Sequence, residues 1–167
     1  MLIDLRSVGQ ESRFQETLGQ DWWKVTDRGQ QVLGLSRPLE ARINVSRVSD
    51  KFLVEGTLSG GLKIRCDRCL ESFDLALRTS VHLYLVIRAT NGSEEEVELF
   101  DEEMEVDFIK GETVDLDDVI QEQLYLSVPM KCVCATTCRG LCPQCGANLN
   151  VAPCRCKPGT DAAAFSK

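Results

Sequence analysis

The sequence predicts an α+β fold: an antiparallel β-sheet or partly open barrel with one covering helix, followed by a C-terminal cysteine-rich zinc module. Three observations predict it. From Ala41 to Ile87 apolar residues recur at every second position, the period of a half-buried strand. Leu116, Val119, Ile120 and Leu124 then recur at helical spacing behind Asp115, a residue type that caps helix N-termini. Finally, seven of the nine cysteines fall in the 25 residues from Cys132 to Cys156. The division expected is 1–130 for the sheet domain and 131–167 for the module and tail.

At 167 residues the chain has room for one domain of usual size and a small appendage. Its first ten residues, MLIDLRSVGQ, hold Asp4 and Arg6 and no apolar signal core, and no run of 18 apolar residues occurs. A cytoplasmic location with no membrane association is therefore expected, and in a reducing compartment cysteines stay thiols. An odd total of nine also fits poorly with a closed disulfide framework.

The net charge of −7 is concentrated in one block. Residues 1–93 carry 13 Lys/Arg against 11 Asp/Glu, residues 94–122 carry 1 against 14, and residues 123–167 carry 5 against 1. Such a balance excludes a protein that grips phosphate non-specifically over its whole surface.

In chain order, residues 2–8 alternate weakly and suggest a strand. Residues 11–23 place Phe14, Leu18 and Trp22 at i, i+4 and i+8 and suggest a short helix, with Trp22-Trp23 putting one ring in the core and one at its edge. Five strands follow, joined by short turns into an antiparallel meander: one through Ile43 and Val45 to Ser49-Asp50, one through Phe52, Val54 and Leu58 to Gly60-Gly61, and one through Leu62 and Ile64 to Cys66. Phe73 to Leu77 and Val81 to Ile87 complete the set. His82, the single histidine, lies opposite Val81 and Leu83; with no second histidine it reads as a packed or solvated imidazole rather than a ligand or base.

Asn91-Gly92-Ser93 breaks the sheet and opens the acidic run SEEEVELFDEEMEVDF. Two readings stand: a charged edge that resists pairing with other chains, and a docking surface for a basic partner formed by Glu94, Glu95, Glu96, Glu98, Asp101, Glu102 and Glu103. Met104 to Ile109 suggests one more strand. The helix then runs to about Ser127 with Asp117 and Asp118 in its first turn, Pro129 stops it, and the apolar stripe is expected to lie on the sheet.

From Val133 to the end apolar residues are few, so a hydrophobic core alone cannot order this segment and something covalent or coordinate must, with metal the better use of its cysteines. Cys142-Pro143-Gln144-Cys145-Gly146 has the form of a zinc knuckle, with Pro143 presetting the turn and Gly146 free to take positive φ. Cys154 and Cys156 return eight residues later, giving a closed four-thiolate site with no position open for substrate. Cys66-Asp67-Arg68-Cys69 supplies half of another site, and Cys134 and Cys138 after the helix can supply the rest. The thiolates then comprise Cys66, Cys69, Cys134 and Cys138 on one Zn2+ and Cys142, Cys145, Cys154 and Cys156 on a second, with Cys132 spare. A single ribbon on Cys66, Cys69, Cys142 and Cys145 satisfies the spacing equally well. A redox pair at Cys66 and Cys69 lacks the βαβ context such motifs use. The spacing of Cys138, Cys142 and Cys145 matches an iron–sulfur radical enzyme, but only 22 residues follow Cys145, too few for the barrel that chemistry needs. No nucleophile elbow, phosphate-binding glycine loop or catalytic set is visible, so an enzyme is not expected and no small-molecule substrate is evident.

Two separated motifs carry a family resemblance: the strand running into Cys66-Asp67-Arg68-Cys69-Leu70-Glu71 with Phe73 behind it, and Pro129 followed by Cys134, Cys138 and the run from Arg139-Gly140-Leu141-Cys142 to Asn150. On these residues the chain resembles the YceD family of large ribosomal RNA subunit accumulation proteins. The resemblance implies a non-enzymatic role in accumulation of large-subunit (23S) rRNA and hence in ribosome assembly. The tail Asp161-Ala162-Ala163-Ala164-Phe165 departs from the family's expected ending, and Cys132 stands where another residue is expected.

Two modes of action follow. In one, the acidic run holds a basic ribosomal protein; in the other, Lys131, Arg139, Arg155 and Lys157, extended by Lys63, Arg65 and Arg68, contact large-subunit rRNA. The charge count favours the first. A zinc-containing redox or metal sensor, or a general protein-interaction module, is the alternative class.

Overall fold

The computed structural model describes residues 1–23, 31–88 and 106–156. Seven strands and one helix follow in the order β1 (Leu2–Asp4), β2 (Glu11–Leu18), β3 (Val32–Val48), β4 (Lys51–Arg65), β5 (Ser72–Arg88), β6 (Val106–Lys110), β7 (Thr113–Asp115) and α1 (Leu116–Ser127). Strands β2 to β6 form a five-stranded sheet in sequence order, with β2 and β6 at its two edges, so the barrel does not close. A two-stranded ribbon pairs β1 with β7 antiparallel.

Three strands dominate the sheet, and they are longer than the sequence predicts. The turn expected at Gly60-Gly61 does not exist: β4 runs through it, pairing Gly60 with Leu77 and Gly61 with Ala76. The glycines answer a close approach instead, because β3 bulges between Leu35 and Glu40 and lies against them. A Cβ on Gly60 would stand 2.9 Å from the Pro38 carbonyl oxygen, and one on Gly61 2.6 Å from Ser36 Oγ. Likewise β5 passes without a break from Phe73 to Ile87, so the five predicted strands are three.

Residues 11–18 form strand β2, not a helix, and only Gln20–Trp22 make a 3-10 turn. Trp23 is buried, with its ring 5.1 Å from that of Tyr125 on α1, while Trp22 is half-buried at the rim, as expected of the pair. The expected strand near residues 104–109 is β6, but it pairs parallel to β5, so the sheet is mixed rather than wholly antiparallel.

One face of this sheet is the core. Ile43 and Val45 of β3, Val54 and Leu58 of β4, and Val81 and Leu85 of β5 bury against Ile3 and Leu5 and against Leu116, Val119, Ile120 and Leu124 of α1. The helix begins where Asp115 accepts a hydrogen bond from the Asp117 N–H at 3.0 Å, which satisfies one orphan donor of the first turn. Among the described residues no helix is long and apolar enough to cross a membrane.

Candidate metal centres

The β4–β5 hairpin and the segment after α1 meet at one cysteine tetrad, and the post-helix segment forms a second by itself. At the hairpin tip, Cys66 N–H donates to the Glu71 carbonyl at 2.9 Å and Leu70 N–H to the Cys66 carbonyl at 3.0 Å, closing the first knuckle. The second knuckle repeats this pattern: Cys142 N–H donates to the Ala147 carbonyl at 2.8 Å and Gly146 N–H to the Cys142 carbonyl at 2.9 Å.

Asp67 docks the post-helix segment onto the first knuckle. Its N–H donates to the Cys132 carbonyl at 2.8 Å, and its Oδ2 accepts from the Cys132 N–H at 2.5 Å, while its Oδ1 accepts from Gln31 Nε2 at 2.9 Å. Two residues further on, Cys134 arrives beside Cys69 with the sulfurs 3.7 Å apart, and Cys138 arrives beside Cys66 at 3.8 Å. The Sγ atoms of Cys66, Cys69, Cys134 and Cys138 all lie within 4.8 Å of one another, and those of Cys142, Cys145, Cys154 and Cys156 do the same. Four sulfurs about 2.3 Å from a central ion stand about 3.8 Å apart in a tetrahedron, so the spacing suits a bound metal. Both tetrads can hold a metal ion, and among the described residues each gathers four cysteine sulfurs.

Local electrostatics suit anionic sulfur. The Arg68 and Cys134 N–H groups both point at Cys66 Sγ, each at 3.4 Å. Although burial opposes ionisation, N–H groups of Cys134, Cys69 and Arg68 pull the Cys66 thiol down to about 6, and those of Cys145 and Gln144 pull Cys142 down to about 6. One thiol in each tetrad is driven strongly the other way: Cys134, held by the Cys138 thiol and by burial, and Cys156, held by the Cys145 thiol and by burial, are each pushed up to about 12. Four thiols so close cannot all ionise without a cation among them.

Cys132 joins neither group. It is buried in the main core with its sulfur 3.3 Å from the Pro129 carbonyl, and burial pushes its thiol up, which keeps it neutral. The single-ribbon pairing of Cys66 and Cys69 with Cys142 and Cys145 is not the arrangement found, since those residues stand in different tetrads.

Arg68 and Asn150 are the residues that sequence reasoning missed or undervalued. Arg68 Nη1 donates to the Cys138 carbonyl at 2.9 Å and its own carbonyl accepts from Leu141 N–H at 3.0 Å, so it ties the hairpin to the module. Lys63, Arg65, Lys131, Arg139 and Arg155 are exposed around the two knuckles. Lys157 and the acidic residues Glu94, Glu95, Glu96, Glu98, Asp101, Glu102 and Glu103 lie outside the described residues.

Comparison with known proteins gives this arrangement its context. The family model described as "Large ribosomal RNA subunit accumulation protein YceD" matches residues 54–167, which takes in both knuckles. An uncharacterised protein of Mycobacterium tuberculosis is 34% identical over 115 residues, covering 69% of this chain and 53% of the relative. Proteins named large ribosomal RNA subunit accumulation protein YCED homolog 1, chloroplastic, are 24% identical in Arabidopsis thaliana, over 71% of this chain and 44% of theirs, and 24% identical in Zea mays, over 72% and 49%. The chain spans about half the length of the curated relatives it matches. No solved structure matches it. With the model running from β4 through both cysteine tetrads, the chain belongs to the YceD family.

Proposed function

We propose that this chain is a non-enzymatic, cytoplasmic ribosome-assembly factor that supports accumulation of large-subunit (23S) rRNA by binding, with each cysteine tetrad holding one structural Zn2+. The observation that carries this reading is the pair of cysteine tetrads, each with four Sγ atoms within 4.8 Å of one another. A metal with four protein ligands and no open position orders a scaffold and does no chemistry on a substrate. When bound, zinc supplies folding free energy to a segment too poor in apolar residues to order itself. The relatives' printed name supplies the process in which such a scaffold acts.

The partner reading follows from charge. Residues 94–122 carry 14 acidic side chains against one basic, and the contacts proposed are Glu94, Glu95, Glu96, Glu98, Asp101, Glu102 and Glu103 with a basic ribosomal protein. A second reading, direct contact with rRNA, is favoured by the exposure of Lys131, Arg139 and Arg155 on the module, with Lys157 beside them in sequence.

The test is to recover the protein from cells at low salt, as wild type and with residues 94–103 neutralised to Gln and Asn, and to identify what accompanies it. A basic ribosomal protein lost on neutralisation supports the first mode. Pre-ribosomal RNA retained or enriched on neutralisation supports the second. Recovery of neither, together with unchanged 23S rRNA levels in cells lacking the protein, overturns the assembly role.

A further inference from the structure

The loop that carries the second tetrad also reaches into the first. Leu149 N–H donates to the Gly140 carbonyl at 2.9 Å and Leu141 bridges Asn148, so residues 148–150 lie alongside residues 139–141, immediately after Cys138. At the end of this contact Asn150 Oδ1 accepts from the Arg139 N–H at 2.7 Å. That bond fixes the amide's orientation, since the oxygen must face the donor, and it leaves Nδ2 pointing at Cys138 Sγ, 3.3 Å away. Asn148 holds it there: its Oδ1 accepts from both the Asn150 N–H and Asn150 Nδ2, each at 3.0 Å.

Asn150 sits four residues before Cys154 and five after Cys145, in the span that the second metal would fold. The only sulfur to which it donates among the described residues belongs to the first tetrad. Four thiolates around a divalent ion leave an excess of two negative charges, and an N–H donated to one sulfur offsets part of it and holds that sulfur in place. A loop ordered by one ion thus contributes a hydrogen bond to the ligand of the other.

We propose that the two tetrads form one coupled metal unit, in which Asn150, carried by the second tetrad's loop, is a positioning residue for the first through its hydrogen bond to Cys138. This rests on the reading of the tetrads as zinc sites. Loading the second site strengthens the first, and by linkage the first strengthens the second.

The test uses the full-length zinc-loaded protein and a chelator titration that reads the release of each ion, with Cys66→Ser identifying the first-site phase. Asn150→Ala removes the donor. Asn150→Asp keeps an acceptor for Arg139 but cannot donate to sulfur, so it separates the N–H···S bond from loop packing. Both should release first-site zinc at about 10-fold lower chelator concentration or less. In the cobalt-substituted protein both should also shift the first site's sulfur-to-metal charge-transfer band. The double variant Cys154→Ser/Cys156→Ser should weaken the first site comparably, with Asn150→Ala adding little on top of it.

First-site affinity within twofold of wild type in Asn150→Asp overturns the proposal, as does full additivity of Asn150→Ala with the loss of the second site. Wild-type protein that takes up no zinc overturns the metal reading itself. Two bound zincs with an indifferent Asn150 overturn only the coupling.

Discussion

Leu70 and Gly146 occupy the same step of the two knuckles, each donating its N–H to the carbonyl of the knuckle's first cysteine and each turning the chain through positive φ, at 62° and 70°. Glycine takes this conformation freely, whereas a leucine pays about 1–2 kcal/mol in Cβ crowding. The Leu70 side chain recovers little of that through burial, being 57% exposed. Leu70→Gly should therefore leave the zinc-loaded protein as stable as wild type or raise its stability by about 1 kcal/mol, after allowing for the greater entropy of glycine in the unfolded chain. Gly146→Leu should lose about 1–2 kcal/mol and loosen the second tetrad. Urea midpoints of the two variants, compared at constant slope, check both, and equal losses would show that the two turns are not alike.

Gly56 makes a stricter demand. It lies between Ile43 of β3 and Val81 of β5, and a Cβ there would stand 2.8 Å from Ile43 Cδ1 and closer still to the Arg42 carbonyl oxygen. A backbone atom cannot swing away as a side-chain tip can, so Gly56→Ala must push apart two central strands. The expected cost is about 2–3 kcal/mol, typical of overpacking a tight core. A loss under about 0.5 kcal/mol by urea denaturation, the scatter of a neutral surface substitution, would mean the strands separate more easily than this contact implies.

These glycines also explain what the sequence did and did not reveal. Gly60-Gly61 carries the same letters whether the chain turns or a neighbouring strand crowds it, and only the bulged path of β3 decides between them. Phe14 and Leu18 are four apart, a spacing that shares one face in a strand as well as in a helix; β2 resolves the ambiguity through its pairing with β3, which is non-local. The parallel direction of β6 depends on the path between β5 and β6, which no periodicity records. By contrast α1 was legible residue by residue, because its cap and its stripe are local features. The tetrads were legible as two possible pairings, and Asp67, by holding Cys132, sets Cys134 beside Cys69 at the hairpin, the place that a single ribbon would give to Cys142 and Cys145.

Metal count follows from that pairing. Cys66 is fully buried and belongs to the first tetrad alone, so if each tetrad holds one zinc, as proposed, Cys66→Ser should reduce the bound metal from two ions to one. The remaining ion should bind more weakly than in wild type if the tetrads are coupled, but it should stay. Elemental analysis of the purified variant checks the count. Loss of both ions at saturating zinc, or retention of both, would contradict two separate four-thiolate sites.

Acidity should release the metal over a defined range. The ordinary thiol value is 9.0, and in the folded chain Cys66 and Cys142, one in each tetrad, lie near 6 because backbone N–H groups hold the thiolates. A thiol whose folded value is depressed stabilises the fold fully above its unfolded value, and that contribution is lost as pH falls through the folded value. Zinc acts in the same direction, since the loaded tetrads carry fewer protons than the empty ones and affinity must rise with pH. Cys134 and Cys156, pushed up to about 12, keep their protons until the ion displaces them, which steepens the dependence. Zinc should thus remain bound at about pH 7 and leave on acidification through about 6 to 5, with order in residues 131–156 lost together with it. A chromogenic zinc indicator and hydrogen exchange followed over the same titration check this. Retention of zinc to about pH 4, or release with no change in exchange across the module, would show that the thiolates do not control its folding.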